Sequence, residues 1–523
     1  MTKKSISSFM HKLRNIPHLD WVVLGLGMVA FVLLVLHSIT ASSIWFDEAF
    51  SAYISQFSFF DIARYTATDV HPPLYYWILK IWTDFFGTTD LAFRSLSLLF
   101  GTTTITAGFV LVRRLFGRRA AWVSLLLLTL SPMLIRYSEE ARMYTLAATI
   151  ALSATYVLTR AVETKNRRLW ILYGVLISLG MWTHYFTAVV WLAHWAWRAI
   201  VVNQTGVRGK KFRLAFFSKD WIIAHVVAIG LFLPWLPFMA VQLAGIQGTG
   251  FWIGPLTADS LTNYLTNVLF YLEHDKAQGW YAVALAAIVT MLCVFGYKLY
   301  QSFNKKQRQN YLLLIAVAFV PVLLLFIASL PPLKSSFVER YLIPSAAGFA
   351  LFAGVTLTLG MTKLKSVWRV AAIGLIVVSM VFGISNVYYY GNYNKNSNVG
   401  IKTGDVVKEI AARAQPGEPI IAETPWVFYE AIFYNSASHP VYFVDANTDY
   451  IYGSLDMLKE NDQHKIKDLS AFAKVHPVVW LIGNSGDQPL PTINPAWKEL
   501  QRFSIHDQID NQNAYKAVQY QTN

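Results

Sequence analysis

Residues 21–41, WVVLGLGMVAFVLLVLHSITA, form one long, largely apolar run, and Trp45-Phe46-Asp47-Glu48-Ala49-Phe50 stands three residues beyond it. As a helix rising about 1.5 Å per residue, such a run reaches roughly 30 Å, the thickness of a bilayer core. Lys3, Lys4, Lys12 and Arg14 precede it. A basic flank suits a cleaved leader too, but the run is long and others follow, so it reads as an uncleaved first span entering from the cytoplasm. The carboxylates of Asp47 and Glu48 then fall where that span surfaces.

The rest of the chain has the same character. Of 523 residues 55% are hydrophobic and 14% charged, where a soluble protein carries about a quarter charged. Eleven spans are expected, near 21–41, 92–112, 120–137, 142–160, 169–184, 186–202, 221–240, 280–300, 311–330, 342–361 and 368–386. Every second connection is basic: Arg113 to Arg119, Arg160 to Arg168, Arg198 to Lys219, Lys298 to Arg308, and Lys363 to Arg369. That alternation places the N-terminus in the cytoplasm and the C-terminus outside, in a multi-pass plasma-membrane (cell-membrane) protein. It also accounts for the net charge of +14 by topology, leaving no nucleic-acid partner. Cys293, the single cysteine, lies in an apolar run, which excludes a disulfide framework or a cysteine metal site.

Two domains follow. Residues 1–386 form the membrane domain, whose first outer loop, 42–91, carries the amphipathic segments Phe57–Tyr65 and Leu74–Phe86, suited to lie at headgroup level. A later outer loop, 241–279, places Gly245, Gly248, Gly250 and Gly254 around Phe251-Trp252, in the manner of a mobile cover. Residues 387–523 read as a polar linker, Tyr388 to Asn398, and an extracytoplasmic α/β domain. Its expected strands are Glu418–Glu423, His439–Val444 and Pro477–Ile482, with helices near 402–414, 425–436 and 466–474 and edge strands near 498–505 and 514–520.

Three constellations sit on the outer side. Asp47 and Glu48 are candidates for a general base, since partial desolvation raises a carboxylate's basicity; the plainer reading is two solvated acids at a helix start. In Asp69-Val70-His71-Pro72-Pro73-Leu74, Asp69 and His71 make a hydrogen-bonding or metal-binding pair, while the prolines stop one helix and start another. Tyr137-Ser138-Glu139-Glu140-Ala141-Arg142-Met143-Tyr144 brings Glu139, Glu140, Arg142 and Tyr144 to the start of the fourth span, where acids also favour the helix dipole. Further along, Arg340 and Tyr341 stand just outside the tenth span, and His184 with Tyr185 turns between the fifth and sixth. Arg340 suits an anionic headgroup. Arg94 and Lys334 are lesser candidates.

These stretches resemble the protein O-mannosyltransferase-like superfamily, integral-membrane GT-C glycosyltransferases that use polyprenyl-phosphate-linked sugars. The likeness rests on the Asp-Glu pair after the first span, Val70-His71-Pro72-Pro73-Leu74, Arg113-Arg114-Leu115-Phe116-Gly117 after the second span, and the Tyr137–Tyr144 stretch, which looks like the second acidic motif of the bacterial members. It covers roughly residues 20–200 and returns at Glu339-Arg340-Tyr341-Leu342-Ile343-Pro344.

The resemblance implies a GT-C-like membrane fold and inverting transfer of a hexose or pentose at the outer face. Asp47 would be the base and Glu48 would help position the acceptor. A carboxylate of Glu139 or Glu140 would be the second acid of the cavity, and Arg340 a ligand of the donor phosphate. Beside what the resemblance implies, the residues themselves offer Asp69, His71, His184 and Tyr341 as candidate substrate contacts. Tyr75-Tyr76 follows His-Pro-Pro-Leu here, where the eukaryotic protein mannosyltransferases place Gly-Lys, and the bacterial aminoarabinose transferases carry Lys where this chain has His71. The acceptor is therefore open among an envelope glycan, a lipid, a teichoic-type polymer and a protein. A divalent cation is the one cofactor left open, with Asp47, His71 and Glu139 as candidate ligands. The competing class is a transporter or flippase for a lipid-linked or envelope substrate, which would carry acids or broken helices near mid-membrane; Pro234 and Pro237 interrupt the seventh span. A membrane-anchored binding protein led by the soluble tail is the third class.

Overall fold

The computed structural model describes residues 18–249, 253–272, 278–389, 402–435, 439–445, 455, 457–484, 490, 493–506 and 514–522. The basic residues before position 18, the Phe251-Trp252 pair with Gly250, and most of the expected linker lie outside these.

Each expected span overlaps a helix, the first ending at Leu36 rather than near residue 41. The first is α1 (Leu19–Leu36), followed by three loop helices, α2 (Phe46–Ile54), α3 (Phe59–Thr68) and α4 (Leu74–Phe86). The bundle continues with α5 (Asp90–Phe116), α6 (Arg118–Thr129), α7 (Pro132–Ser138), α8 (Tyr144–Thr164), α9 (Arg167–Thr183) and α10 (Thr187–Asn203). After the short basic α11 (Gly209–Phe216) come α12 (Lys219–Phe232), α13 (Leu236–Thr249) and α14 (Ser260–Leu269). Helices α15 (Trp280–Ser302), α16 (Lys305–Ala328), α17 (Ile343–Val355) and α18 (Ser366–Tyr389) complete it. Among the described residues eight helical segments are long and apolar enough to cross a membrane, or nine if one bent pair counts as a span. The protein is a multi-pass membrane protein.

Two details depart from the sequence reading. The expected span 120–137 is not one rod: α6 and α7 meet at 55°. Ser131 caps α7 by accepting from the Leu134 N–H at 3.4 Å, and Pro132 opens it without needing an N–H partner. The bend carries α7 against α5 so closely that a Cβ at Gly101 would stand 2.1 Å from Ser138 Oγ. Gly245 and Gly248, expected in an outer loop with the character of a mobile cover, instead lie within α13.

The loop helices follow their amphipathic patterns. Phe60, Phe85 and Phe86 turn outward while Ile62, Tyr75, Tyr76 and Leu79 are buried, as suits helices lying on the bilayer surface. Thr68 ends α3, Asp69 follows as its C-cap and Pro73 stands at the start of α4, so the two prolines do divide the helices.

The C-terminal region forms a six-stranded sheet in the order β3-β2-β1-β4-β6-β5. Its strands are β1 (Ile420–Ala422), β2 (Val441–Val444), β3 (Lys465–Ile466), β4 (Val478–Asn484), β5 (Lys498–His506) and β6 (Ala514–Gln521). β1, β2, β3 and β4 are parallel, and β5 and β6 close the sheet antiparallel. β6 is not an edge: it pairs with both β4 and β5, and Tyr515, Ala517 and Val518 on it are buried. Helices α19 (Thr403–Arg413), α20 (Pro425–Tyr434) and α21 (Leu469–Val475) cover the sheet. α20 also packs on α2: Tyr429 meets Phe46 at 5.9 Å, Phe50 at 6.0 Å and Tyr53 at 5.2 Å between ring centroids.

Candidate active site

The chain leaving α1 is anchored before it enters α2. Arg94, fully buried on α5, donates from Nε and Nη2 to the two carboxylate oxygens of Glu48 at 2.8 and 2.7 Å. Its other N–H groups go to the carbonyls of Ile39 (2.7 Å), Ser42 (2.9 Å) and Ser43 (3.1 Å). All five guanidinium donors are thus used, which is what a buried charge requires. Glu48 also accepts from the Ala141 N–H at 2.9 Å, tying α2 to the Glu139–Met143 segment. Its side chain is 1% exposed. Expected near an acceptor, Glu48 instead has its carboxylate locked between α5 and that segment.

Asp47, one residue earlier, faces the other way. Its carboxylate is 3.6 Å from Arg340 and 4.0 Å from Arg142, and 23% exposed. Arg142 is oriented by three oxygens: Asp47 carbonyl (3.3 Å), Ser51 Oγ (3.2 Å) and the Tyr76 hydroxyl (3.1 Å). Arg340 lies over the Trp45 ring, 5.6 Å from its centroid, a cation–π contact. Two guanidiniums therefore flank one partly exposed carboxylate.

The second acidic motif behaves differently from its expectation. Glu139 accepts from Ser38 Oγ at 2.6 Å, and Glu140 lies 2.9 Å from Arg136; both acids are buried. They lie in the irregular link between α7 and α8, not in the first turn of the following span. Arg142, not either acid, reaches Asp47.

Asp69 and His71 stand 3.5 Å apart. Burial pulls the His71 imidazole below its usual range, with Asp69 opposing. His71 faces His184 at 5.4 Å, and His184 faces Tyr341 at 4.7 Å and Tyr144 at 6.0 Å between ring centroids. Beyond this aromatic wall opens a mostly apolar cavity of about 320 Å³, lined by His71, His184 and Tyr341 with Met239, Leu243, Leu333 and Lys334. Each candidate residue thus falls in one neighbourhood, though Glu48, Glu139 and Glu140 lie behind its wall. Tyr76, Ser51, Trp45 and Arg136 were not singled out; only the departure at Tyr75-Tyr76 hinted at one of them.

Among the described residues no group of three or more His, Cys, Asp or Glu is placed to hold a metal. Asp47 faces two cations, and Glu139 is engaged by Ser38.

Known proteins share parts of this arrangement. Residues 70–238 match the family model described as dolichyl-phosphate-mannose-protein mannosyltransferase. The fold is similar to that of ArnT from Cupriavidus metallidurans in the apo state, with a TM-score of 0.62 at 15% identity, covering 95% of this chain and 97% of that one. ArnT from the same organism bound to undecaprenyl phosphate gives 0.56 at 16% identity, over 95% and 98% of the two chains. An oligosaccharyltransferase from Archaeoglobus fulgidus in the apo form gives 0.50 at 13% identity, over 81% and 64%. No curated protein matches the chain in sequence.

Proposed function

We propose that this protein transfers a sugar, with inversion, from a polyprenyl-phosphate-linked donor to a cell-envelope acceptor, using Asp47 as general base. The observation that carries the reading is the placement of Asp47. Of the five candidate acids it is the one whose carboxylate is not buried, and it stands beside Arg340 at 3.6 Å. A neighbouring apolar cavity with Lys334 in its wall suits a lipid-linked phosphate. That ArnT has been solved with undecaprenyl phosphate on the same fold supports this donor class.

In this reading the acceptor hydroxyl gives its proton to Asp47 as its oxygen attacks the anomeric carbon. The bond from that carbon to the phosphate oxygen breaks, and polyprenyl phosphate leaves with one more negative charge. Arg340, able to bind phosphate bidentately, and Lys334 take up that charge. Arg142, held by Ser51 and Tyr76, orients Asp47. Asp69, His71, His184, Tyr144 and Tyr341 wall the sugar site, and Glu48 acts on Asp47 through the backbone. Residues 1–386 are the membrane enzyme; 387–523 form its extracytoplasmic domain.

The test is transfer of radiolabelled sugar from polyprenyl-phosphate donors in membranes carrying the protein, wild type against Asp47→Asn. Label entering an envelope fraction with wild type alone is expected, and the product names the acceptor. Equal transfer by both proteins removes Asp47 as base.

A further inference from the structure

The basic motif Arg113-Arg114-Leu115-Phe116-Gly117 has no part in the transfer proposed for Asp47. It closes α5, and Arg114 lies roughly 30 Å along that helix from Arg94, at about 1.5 Å per residue. That is the thickness of a bilayer core. On the topology expected from the basic connections, this end of the bundle faces the cytoplasm. Arg113 binds Asp20. Arg114 instead lines a second cavity, of about 630 Å³, formed by α5, α8, α10 and the start of α16.

The walls of this cavity are held in place. Asn304 Oδ1 accepts from the Gln307 N–H at 2.9 Å, and Gln307 Oε1 accepts from the Asn304 N–H at 3.1 Å, a reciprocal capping box. Arg308 donates to the Tyr300 and Gln301 carbonyls at the end of α15, at 2.9 and 2.8 Å. The turn from α15 to α16 is thereby fixed, and with it Lys305 and Lys306 in the first turn of α16. The Trp197 indole donates to the Gln309 carbonyl at 2.8 Å and ties α10 to α16. Leu115, Val162 and Val201 add apolar lining.

The charge in the cavity is unbalanced. Arg114, Lys305 and Lys306 line it, and Glu163 is the one carboxylate among the described lining residues. Glu163 pairs with Arg114 and, at 2.6 Å, with Lys306. A single carboxylate thus spans cations from α5 and α16, with a third cation beside them. A phosphate suits such a set, since arginine binds it through a planar fork and lysine as a point charge. The paired side chains keep contact with solvent, 27% for Arg114 and 42% for Glu163, so they exchange partners at little cost.

We propose that this cavity binds the phosphate of an anionic membrane lipid through Arg114, Lys305 and Lys306, and that Glu163 holds the phosphate's place until the lipid displaces it. The apolar lining favours a lipid over free phosphate. Leu115, Val162, Trp197 and Val201 border the same space as the cations, and basic pockets between spanning helices take lipid headgroups. The site is separate from the transfer site and does not depend on the reading of Asp47.

The experiment measures binding of phosphatidylglycerol and phosphatidylcholine to the full-length protein in detergent by native mass spectrometry. Wild type is compared with Glu163→Gln, Arg114→Gln and Lys306→Gln, and inorganic phosphate serves as competitor. Phosphatidylglycerol should bind wild type about fivefold or more tightly than phosphatidylcholine, with the difference shrinking as salt is raised. Glu163→Gln should tighten phosphatidylglycerol binding by about two- to fivefold, and Arg114→Gln and Lys306→Gln should each weaken it by about three- to tenfold. Phosphatidylcholine binding should stay the same throughout. The sign at Glu163 carries the test: a carboxylate that only holds α8 to α5 and α16 would loosen the site when removed. Weaker phosphatidylglycerol binding in Glu163→Gln overturns the proposal, as does equal binding of the two lipids by wild type. Displacement of phosphatidylglycerol by an equal concentration of inorganic phosphate overturns the assignment to a lipid. If Arg114→Gln melts far below wild type, Lys306→Gln, whose side chain is 68% exposed, decides: weakened binding supports the proposal and unchanged binding overturns it.

Discussion

At one end of the bundle Asp20 accepts from Arg113 and Arg118 at 2.7 and 2.6 Å, and Glu163 accepts from Lys306 at 2.6 Å. The cations there are partly open to solvent, Arg113 by 42% and Lys306 by 68%. At the other end Arg94, Arg136 and Arg142 are buried, and their partners include backbone carbonyls, a serine and a tyrosine. The residue types are the same and the physics is not. Open ion pairs contribute about 0–1 kcal/mol and tolerate rearrangement. Buried ones hold one geometry, because an abandoned partner costs several kcal/mol. The first end serves topology; the second holds a constellation in place around Asp47.

The sharpest way to break this contrast is at the neighbours Asp47 and Glu48. Asp47→Asn should lower transfer by about 100- to 10,000-fold, the range for losing a general base, with accumulation and thermal midpoint as in wild type. Glu48→Gln should do the reverse in kind. It leaves the Arg94 guanidinium buried without its counter-charge, a loss of about 3–5 kcal/mol. The readout is accumulation and a fluorescence-detected melt, and Glu48→Gln melting like wild type would show that the two acids do not differ as the geometry requires.

How far could this contrast be read from the chain? The spans, the loop helices, the parallel strands and the convergence of three motifs follow from local periodicity, which records which face of an element is apolar. The depth of Asp47 was legible because the end of an apolar run fixes it. The partners were not. Glu48 finds Arg94 and Glu140 finds Arg136, and nothing in a hydropathy pattern separates a pairing acid from a catalytic one. The bend at Ser131-Pro132 was hidden inside a run apolar enough to be one rod. The place of β6 inside the sheet depends on pairing with β4, and the hydrogen bond from the Ile44 N–H to the Tyr434 hydroxyl joins distant parts of the chain. Such contacts are products of the whole fold.

Within the buried end the comparison can be sharpened at Arg340. Its contacts with Asp47 and the Trp45 face suit a guanidinium, and a lysine keeps the charge while losing the planar fork. Arg340→Lys should reduce kcat/KM for the donor by about tenfold, a change of about 1.4 kcal/mol, with the melt unchanged. An equal loss in Arg142→Lys, accompanied by a lower melting temperature, would separate the residue that meets the donor from the one that Ser51 and Tyr76 hold in place.

The smallest effect is expected at the open end. Asp20 is itself buried, yet both arginines bound to it retain contact with solvent, 42% for Arg113 and 25% for Arg118, so water reaches the cations and can replace the pair. Asp20→Asn keeps an acceptor for Trp122, which donates to Asp20 at 3.1 Å, and frees two cations that already lie where the topology wants them. The expected cost is about 1 kcal/mol or less, shrinking further at high salt, with transfer within about twofold of wild type. A melt lowered as far as that of Glu48→Gln would mean that both ends are equally committed to one geometry. Burial of the arginines would then not be what distinguishes them.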